Sequence, residues 1–271
     1  MSEAQKIIKY IAIALAIFLT ITIISTIIII ILSLSGFLGL STNDNVSKEN
    51  MEIISTDTLN INELNIYLSF TNLEIKKGEE FRVETNNPKI EYDNKNGKVT
   101  IKENSSWKFD TSANNSVIIY IPDNIQTIQK AEIESGAGIV NIKNLKINEL
   151  YFEQDAGKVL IDNLVVNRNA SIESGAGKME ILSSSINNLD LDLGVGEFIL
   201  NAKLTGNNEI DAGVGNVRVK LVDGLENYTI KASKGLGSIK IDNNEISNDI
   251  NYGTGSTYIN VNGGVGNITV D

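Results

Sequence analysis

Apolar and polar residues alternate along most of the chain after residue 59, and the pattern returns with a period near 19 residues. Each return contains a Gly-x-Gly or similar triplet, whose second glycine serves as the anchor of the repeat. The anchors are Gly138, Gly157, Gly177, Gly196, Gly215 and Gly237, with weaker copies at Gly255 and Gly266. This period predicts a single-stranded β-solenoid, because one coil can bury its apolar face only by stacking on its neighbours.

Three columns of the repeat are apolar, and the residues beside them are mostly polar. Two residues after the anchor stand Val140, Val159, Met179, Phe198 and Val217, and four after it stand Ile142, Ile161, Ile181, Leu200 and Val219. Five residues before the anchor stand Ile133, Phe152, Ile172, Leu191 and Ile210. Since the side chains of a strand alternate between its two faces, this pattern predicts two strands per coil, each with one face in the core and one in water.

The glycine triplet between these strands is predicted to form a tight corner, because glycine adopts backbone angles that other residues avoid. The predicted turn glycines are Gly136, Gly138, Gly157, Gly175, Gly177, Gly194, Gly196, Gly213, Gly215, Gly235 and Gly237. The small apolar residue in the middle of each triplet, from Ala137 to Val214, is expected to point inward. One coil has Asp155 in place of the first glycine, and Asp is tolerated in turns.

An apolar run without any charge occupies residues 11–34. It exceeds the roughly 20 residues that cross the hydrocarbon core of a bilayer, and it is longer than the apolar core of a cleaved signal peptide. The sequence therefore predicts one transmembrane α-helix in contact with membrane lipid. Lys6 and Lys9 precede the run, which places residues 1–10 in the cytoplasm and the C-terminal domain outside the cell membrane.

The remaining chain is divided by composition and pattern into three parts. Residues 35–58 are predicted to be a linker, residues 59–130 an irregular β region that caps the N-terminal end, and residues 131–271 the β-solenoid repeats. The last repeat is short and ends at Asp271. Two interpretations of this end remain open: the short repeat is itself a cap, since charge blunts an exposed edge, or the end stacks on another molecule in end-to-end self-association.

The composition restricts the chemistry of the chain. Its 271 residues carry a formal charge of −11 and contain neither cysteine nor histidine. Disulfides and thiolate metal sites are excluded, and the usual catalytic base and commonest metal ligand are missing. The acidic charge argues against nucleic acid as a partner, because binding a polyanion needs clustered Lys and Arg. No cofactor is expected.

Four residues before the anchor, acidic residues occupy five repeats in succession. They are Glu134, Glu153, Glu173, Asp192 and Asp211, followed by Ser233, Asn251 and Asn262 in later repeats. Stacked like charges repel, and three explanations are open. Lys158 and Lys178 could neutralise their neighbours across the corner, a cation such as Ca²⁺ could bind the carboxylates, or the charges are solvated and discourage strand addition.

Catalysis is not expected from these carboxylates. Every Asp and Glu fits a repeated structural column, so no set of side chains is predicted to converge on one point. The triplets are not a dinucleotide-binding fingerprint either, because no helix-forming segment follows any of them. The sequence therefore favours a protein that is not an enzyme.

The segments LNIYLSFTNLEI and SVIIYIPDN precede the serial units SGAGIVNIKNL, DAGKVLIDNL, SGAGKMEI and GVGNVRV. This order resembles the bacterial putative-adhesin family of β-strand-repeat domains, a domain of unknown function, over residues 59–271. The resemblance implies a β-helix on the bacterial cell surface, which in some members accompanies envelope-stress signalling. It implies no catalytic residues.

These observations together predict a membrane-anchored, non-enzymatic binding or scaffolding module at the cell envelope, with another envelope or membrane protein as its partner. An adhesin that binds host or neighbouring cells is the alternative. A glycan-active enzyme is a third, less favoured interpretation, since paired carboxylates such as Asp190 and Asp192 could act as acid and base on a glycan.

Overall fold

The computed structural model describes residues 46–57, 61–104, 115–123, 125, 127–233, 235–246 and 250–271. The predicted cytoplasmic stub 1–10, the predicted transmembrane helix 11–34 and the first part of the predicted linker 35–58 lie outside the described residues. Within the described ranges, no helix has the length and apolar character needed to cross a bilayer.

The described part of the chain is all-β. Its strands are β1 (Glu52–Asp57), β2 (Glu63–Leu68), β3 (Asn72–Gly78), β4 (Phe81–Thr85), β5 (Ile90–Lys95), β6 (Lys98–Glu103), β7 (Ser116–Pro122), β8 (Ile128–Asn187), β9 (Leu189–Thr205), β10 (Asn207–Leu221), β11 (Tyr228–Ser233), β12 (Leu236–Ile241), β13 (Asn244–Ile246), β14 (Ile250–Tyr252) and β15 (Thr257–Val270). A single 3-10 turn, Leu225–Asn227, precedes β11. All these strands join one sheet that winds around a common core.

Each coil has three sides, one more than the sequence pattern predicts. In the first coil of β8, the first side ends at the glycine corner, and the second side runs to Asn144. Asn144 has a positive φ of 57°, and Asn163 and Ser183 repeat this left-handed bend in the next two coils with φ of 59° and 52°. Beyond the bend, Leu145 and Ile147 are buried on the third side. Asn and Ser are weak sequence signals of a bend, and the sequence pattern therefore does not predict the third side.

Successive coils pair in parallel and in register, so equivalent residues form columns along the stack. Leu191 of β9 pairs with Ile172 of β8 and with Ile210 of β10, and all three are fully buried. The apolar columns of the sequence therefore become continuous rows inside the stack. The predicted β-solenoid is confirmed as an all-β, solenoid-like fold.

The C-terminal end of the stack does not follow the order of the chain. β15 lies between β10 on one side and β11 with β12 on the other, because Gly266 pairs with both Gly215 and Gly237. The last layer is thus formed by β11 and β12, and β13 and β14 cover it in antiparallel orientation. The expectation that the stack ends at Asp271 is wrong. Gly255 is not an anchor either, since it lies between β14 and β15.

The N-terminal end shows the same arrangement in reverse. The layer formed by β2 and β3 lies between the first coil of β8 and the layer formed by β6 and β7. β5 and β4 cover β6 and β7 in antiparallel orientation, and β1 pairs with β4. Part of the region 59–130, predicted as an irregular cap, is therefore built from coil layers, and β1 lies within the predicted linker.

The glycine corner brings the backbones of neighbouring layers into close contact. The anchor glycines have φ between 132° and 155°, a region that favours glycine. A Cβ on Gly177 would overlap the carbonyl oxygen of Gly157, and a Cβ on Gly175 would overlap that of Asp155. The corner therefore needs both glycines. The anchor glycine adopts a positive φ, and both glycines allow the backbones of adjacent layers to approach each other closely.

The middle residues of the later triplets point outward, contrary to the expectation from strict alternation. Val195 and Val214 are 40% and 46% exposed, and Val265 and Leu236 of the next two layers are 47% and 76% exposed. The bend at the glycines breaks the alternation and leaves these side chains on the outside of the corner. We refer to Val195, Val214, Val265 and Leu236 as the apolar ridge.

The order of the last layers can be tested with engineered disulfides, because the chain contains no cysteine. Asn267 pairs with Asn216 on one side and with Ser238 on the other. Cysteines at positions 216 and 267 are expected to form a disulfide on oxidation. Cysteines at 216 and 238 lie about 9.6 Å apart, two layer spacings, beyond the roughly 7 Å between Cα atoms that a disulfide bridges.

The measurement is peptide mapping by mass spectrometry without reduction. A stack that follows chain order would give the opposite result, a disulfide between positions 216 and 238 and none between 216 and 267.

The geometry of the corner predicts that substitutions at two adjacent positions, Val195 and Gly196, reduce the stability of the fold by different amounts. Gly196→Ala places a methyl group against the carbonyl oxygen of Gly177 at a φ of 149°, and the expected loss is about 2–5 kcal/mol of unfolding free energy. Val195→Ala changes an exposed side chain and is expected to alter stability by about 0.5 kcal/mol or less. Urea unfolding measures both. Equal losses would show that the corner is not the constraint.

Candidate functional site

The structure aligns the predicted acidic residues on the first side of the coils. Asp192 pairs with Glu173 and Asp211, and the column continues through Asn262 to Ser233. Glu134 and Glu153 occupy the two preceding coils. We refer to Glu134, Glu153, Glu173, Asp192 and Asp211 as the acidic row. Asn251 is not part of this column, because it pairs with Lys231 in antiparallel orientation.

A phenol and an amide donate hydrogen bonds to the acidic row. Lys178 forms ion pairs with Glu180 at 2.7 Å and Glu197 at 3.4 Å on the second side, so the explanation that this lysine neutralises Glu173 receives no support. The Tyr151 hydroxyl donates to Glu153 at 2.8 Å. At the C-terminal end of the row, the Asn262 amide donates to Asp211 at 2.6 Å.

Two carboxylates of the row, Glu134 and Asp192, have raised pKa values. The pKa of Glu134 is raised by partial burial and then by the charges of Glu153, Glu132 and Asp155. The pKa of Asp192 is raised by partial burial and then by Asp190, Asp211 and Glu209. The hydrogen bond to Glu153, followed by burial, raises the pKa of Tyr151 to about 12. Acidic neighbours therefore act on this group of residues at Glu134, Tyr151 and Asp192.

The carboxylates of the row lie side by side and do not converge. In the part of the chain that the structure describes, no group of three or more His, Cys, Asp or Glu side chains is arranged to hold a metal ion. Ca²⁺ needs six to eight oxygen ligands around one point, whereas each layer contributes one carboxylate to the row. The calcium interpretation therefore has no converging ligand set among the described residues.

A groove with a volume of about 910 Å³ runs beside the acidic row on the same side of the stack. Its walls are the outward side chains six and eight residues before each anchor. The most distinctive are Lys130, Tyr151, Asp190, Glu209, Lys231 and Tyr258. A shallower groove of about 480 Å³ lies over the acidic row itself and includes Gln154 and Asp155.

The sequence did not single out the groove because its columns change residue type from coil to coil. The column six residues before the anchor contains Glu132, Tyr151, Ser171, Asp190 and Glu209. Its continuation through Asn260 and Lys231 depends on the inserted position of β15. The feature that could have indicated the groove is the outward-facing position that these residues share in the repeat.

Asparagine ladders on the third side have a structural role. Asn163 donates to Asn144 at 2.7 Å, and Asn167 donates to Asn148 at 2.9 Å, each to the equivalent amide of the preceding coil. Such bonds join neighbouring layers at positions where the chain bends. The amides of these two ladders are therefore engaged within the stack.

The ionisation of the row predicts that moderate acidification stabilises the fold. Glu134 and Asp192 have raised pKa values in the folded state. At a pH between these raised values and the ordinary carboxyl pKa of about 4, the folded state binds more protons than the unfolded state. Stability should therefore rise as the pH falls from 7 through this window. At still lower pH, Glu132 has the opposite effect. Its pKa is lowered by the hydrogen bond from Lys130, so its protonation destabilises the folded state.

Urea unfolding at pH 7 and at lower pH checks this expectation. The double variant Glu134→Gln/Asp192→Asn should be more stable than the native chain at pH 7 and less sensitive to pH. Glu226→Gln, in the exposed part of the 3-10 turn, is the control and should change neither. A native chain that only loses stability between pH 7 and 5 would contradict the prediction.

Three solved chains match, including a putative cell adhesion protein from Clostridium sporogenes and a putative adhesin from Bacteroides fragilis. The first has 21% identity and a TM-score of 0.36, covering 82% of this chain and 98% of its own. The second has 16% identity and a TM-score of 0.49, covering 83% and 99%. These values are too low to define function.

No curated protein matches the chain. The model of one family, described as Toastrack DUF4097, matches residues 61–271. This match covers most of the chain and every strand from β2 to β15, and it confirms the resemblance to a β-strand-repeat family of unknown function. The chain belongs to the Toastrack DUF4097 family.

Proposed function

We propose that this protein is a non-enzymatic binding module at the bacterial cell envelope, and that its contact surface is the first side of the stack. The observation that carries this proposal is the groove of about 910 Å³ beside the acidic row. Parallel backbone pairing holds every side chain of this surface in a fixed column. A surface that is ordered in advance loses less entropy on binding.

The proposed position of the module is the outer face of the cell membrane. Residues 11–34 would anchor the chain, residues 1–10 would lie in the cytoplasm, and the stack would lie outside. The apolar, uncharged character of residues 11–34 and the lysines before them support this orientation. Nine parallel layers at about 4.8 Å span only about 38 Å, which favours partners close to the membrane.

Contact with another component of the same envelope is the preferred role, including modulation of envelope-stress signalling. The negative potential of the acidic row supports a partner that is neutral or positively charged on the contacting side. An adhesin that binds another cell is the second candidate. The apolar ridge favours it, since exposed apolar residues in adjacent layers form a contact surface separate from the groove.

A cysteine-directed crosslinking experiment in intact cells tests the proposal, because the full chain has no native thiol. Ser171→Cys places a thiol in the groove, and Lys146→Cys places one on the exposed third side. A membrane-impermeant photo-crosslinker is expected to label both, whereas Ser2→Cys should react only after permeabilisation. Illumination should then give a discrete product from Ser171→Cys and none from Lys146→Cys.

The outcomes separate the parts of the proposal. Failure of Ser171→Cys and Lys146→Cys to react in intact cells would overturn the external location. The same products from both positions, or none from Ser171→Cys, would overturn the binding surface. A product formed in a pure culture supports the envelope role, and one that forms only on contact with foreign cells supports the adhesin.

A further inference from the structure

The groove extends across many layers. Its lining begins at Lys130 in the first coil of β8 and reaches Lys231 in the last parallel layer. Six layer steps at about 4.8 Å give a length of about 29 Å. Its volume of about 910 Å³ is spread along this length, so the groove is long and narrow. Such a shape fits an extended chain and not a compact small molecule.

The floor of the groove is the face of a sheet. In-register pairing between layers, such as Asn207 with Tyr258 and Glu209 with Asp190, uses the backbone N–H and C=O groups inside the stack. A peptide that binds by strand addition needs a free sheet edge. The groove offers only side chains, so it is not suited to this common mode of peptide recognition.

Amides and hydroxyls predominate among the polar groups of the lining. They include Asn207, Asn251, Ser171 and Tyr258, besides Asn169 and Thr229, whose side chains also form hydrogen bonds within the stack. Each amide or hydroxyl can both donate and accept hydrogen bonds. Sugar hydroxyls have the same dual character, whereas a metal ion would require converging carboxylates that the described residues do not provide.

Two tyrosines provide ring surface in the groove. Tyr258 is 57% exposed, and its layer lies about 19 Å, four layer steps, from that of Tyr151. Tyr151 is oriented by its hydrogen bond to Glu153. A tyrosine ring has an apolar body and a polar tip, which suits the mixture of C–H and O–H groups on a pyranose ring.

The charges in and beside the groove determine which kind of polymer it can bind. Asp190 and Glu209 project from the wall of the groove, and the acidic row runs beside them. The Asn260 amide donates to Glu209 at 3.0 Å, which orients that carboxylate. A polyanion would be repelled by the carboxylates between the terminal lysines Lys130 and Lys231, whereas a neutral sugar polymer would donate hydroxyl hydrogens to these oxygens. Free amino groups on the sugars would strengthen the attraction.

We propose that the groove binds an extended polysaccharide of neutral or amine-bearing pyranose units, which lies along the stack and across the strands. Layers spaced about 4.8 Å apart present polar side chains of varying type at regular intervals along the groove, and an extended polymer can offer a hydroxyl group to many of them. This inference deepens the proposed binding function and rests on the same side of the stack.

Calorimetric titration of the full chain in lipid nanodiscs tests the inference. The probes are neutral hexasaccharides of gluco and galacto configuration, a free-amine glucosamine hexasaccharide, an anionic galacturonate hexasaccharide and hexalysine. A neutral probe and the free-amine hexasaccharide are expected to bind, and the anionic one is not. Tyr258→Ala should weaken saccharide binding about tenfold or more.

Two further variants complete the design. Leu236→Ala removes a comparably exposed side chain from the apolar ridge, outside the groove, and should leave saccharide binding unchanged. The double variant Asp190→Asn/Glu209→Gln changes two exposed carboxylates and should reduce binding of the free-amine probe more than that of the neutral probe.

Several results would overturn the inference. These are no saccharide binding, equal binding of the anionic probe, or equal loss for Tyr258→Ala and Leu236→Ala. Binding of hexalysine as tight as that of the free-amine probe, without sensitivity to Tyr258→Ala, would assign the groove to cationic peptides. The crosslinking experiment remains independent, because a protein product from Ser171→Cys without saccharide binding would retain the binding function and reject this ligand.

Discussion

Backbone contact between layers at the glycine corner is the constraint on which the rest of the structure depends. A side chain on Gly196 or Gly215 would overlap the carbonyl oxygen of the glycine in the adjacent layer. The anchors of neighbouring coils therefore stack directly on one another, and this sets the register of the coils that contain them. Once the register is set, Leu191 must lie between Ile172 and Ile210, and the core becomes continuous.

A stack of parallel coils leaves two ends with unpaired backbone groups, and the chain covers both with antiparallel strands. The inner layer at each end comes from a distant part of the chain, β15 at one end and β2 with β3 at the other. Near the N-terminal end, the Glu103 carboxylate accepts hydrogen bonds from Ser69 N–H at 2.7 Å and Phe70 N–H at 3.0 Å. These bonds satisfy two backbone N–H groups at the corner between β2 and β3, and the carboxylate that accepts them lies at the end of β6 in the adjacent layer.

The same register that aligns the core also aligns like charges on the surface. Asp192 lies between Glu173 and Asp211, and its pKa is raised by burial and by its acidic neighbours. Water still reaches these exposed and half-buried carboxylates and weakens their repulsion, so the row of acidic side chains is tolerated beside the groove. A structural rule of the solenoid thus produces the feature on which the proposed selectivity for non-anionic partners depends.

Local patterns in the sequence determined the coil period, the buried columns, the corner glycines and the acidic row, because alternation and glycine preference act over a few residues. Only the tertiary structure decided the inserted position of β15, the outward direction of Val214, the ion pair of Lys178 with Glu197 in the next layer and the groove around Tyr258. These features depend on which layers become neighbours and on how the backbone bends at each corner. Both are set by contacts between residues far apart in the chain, which no local pattern records.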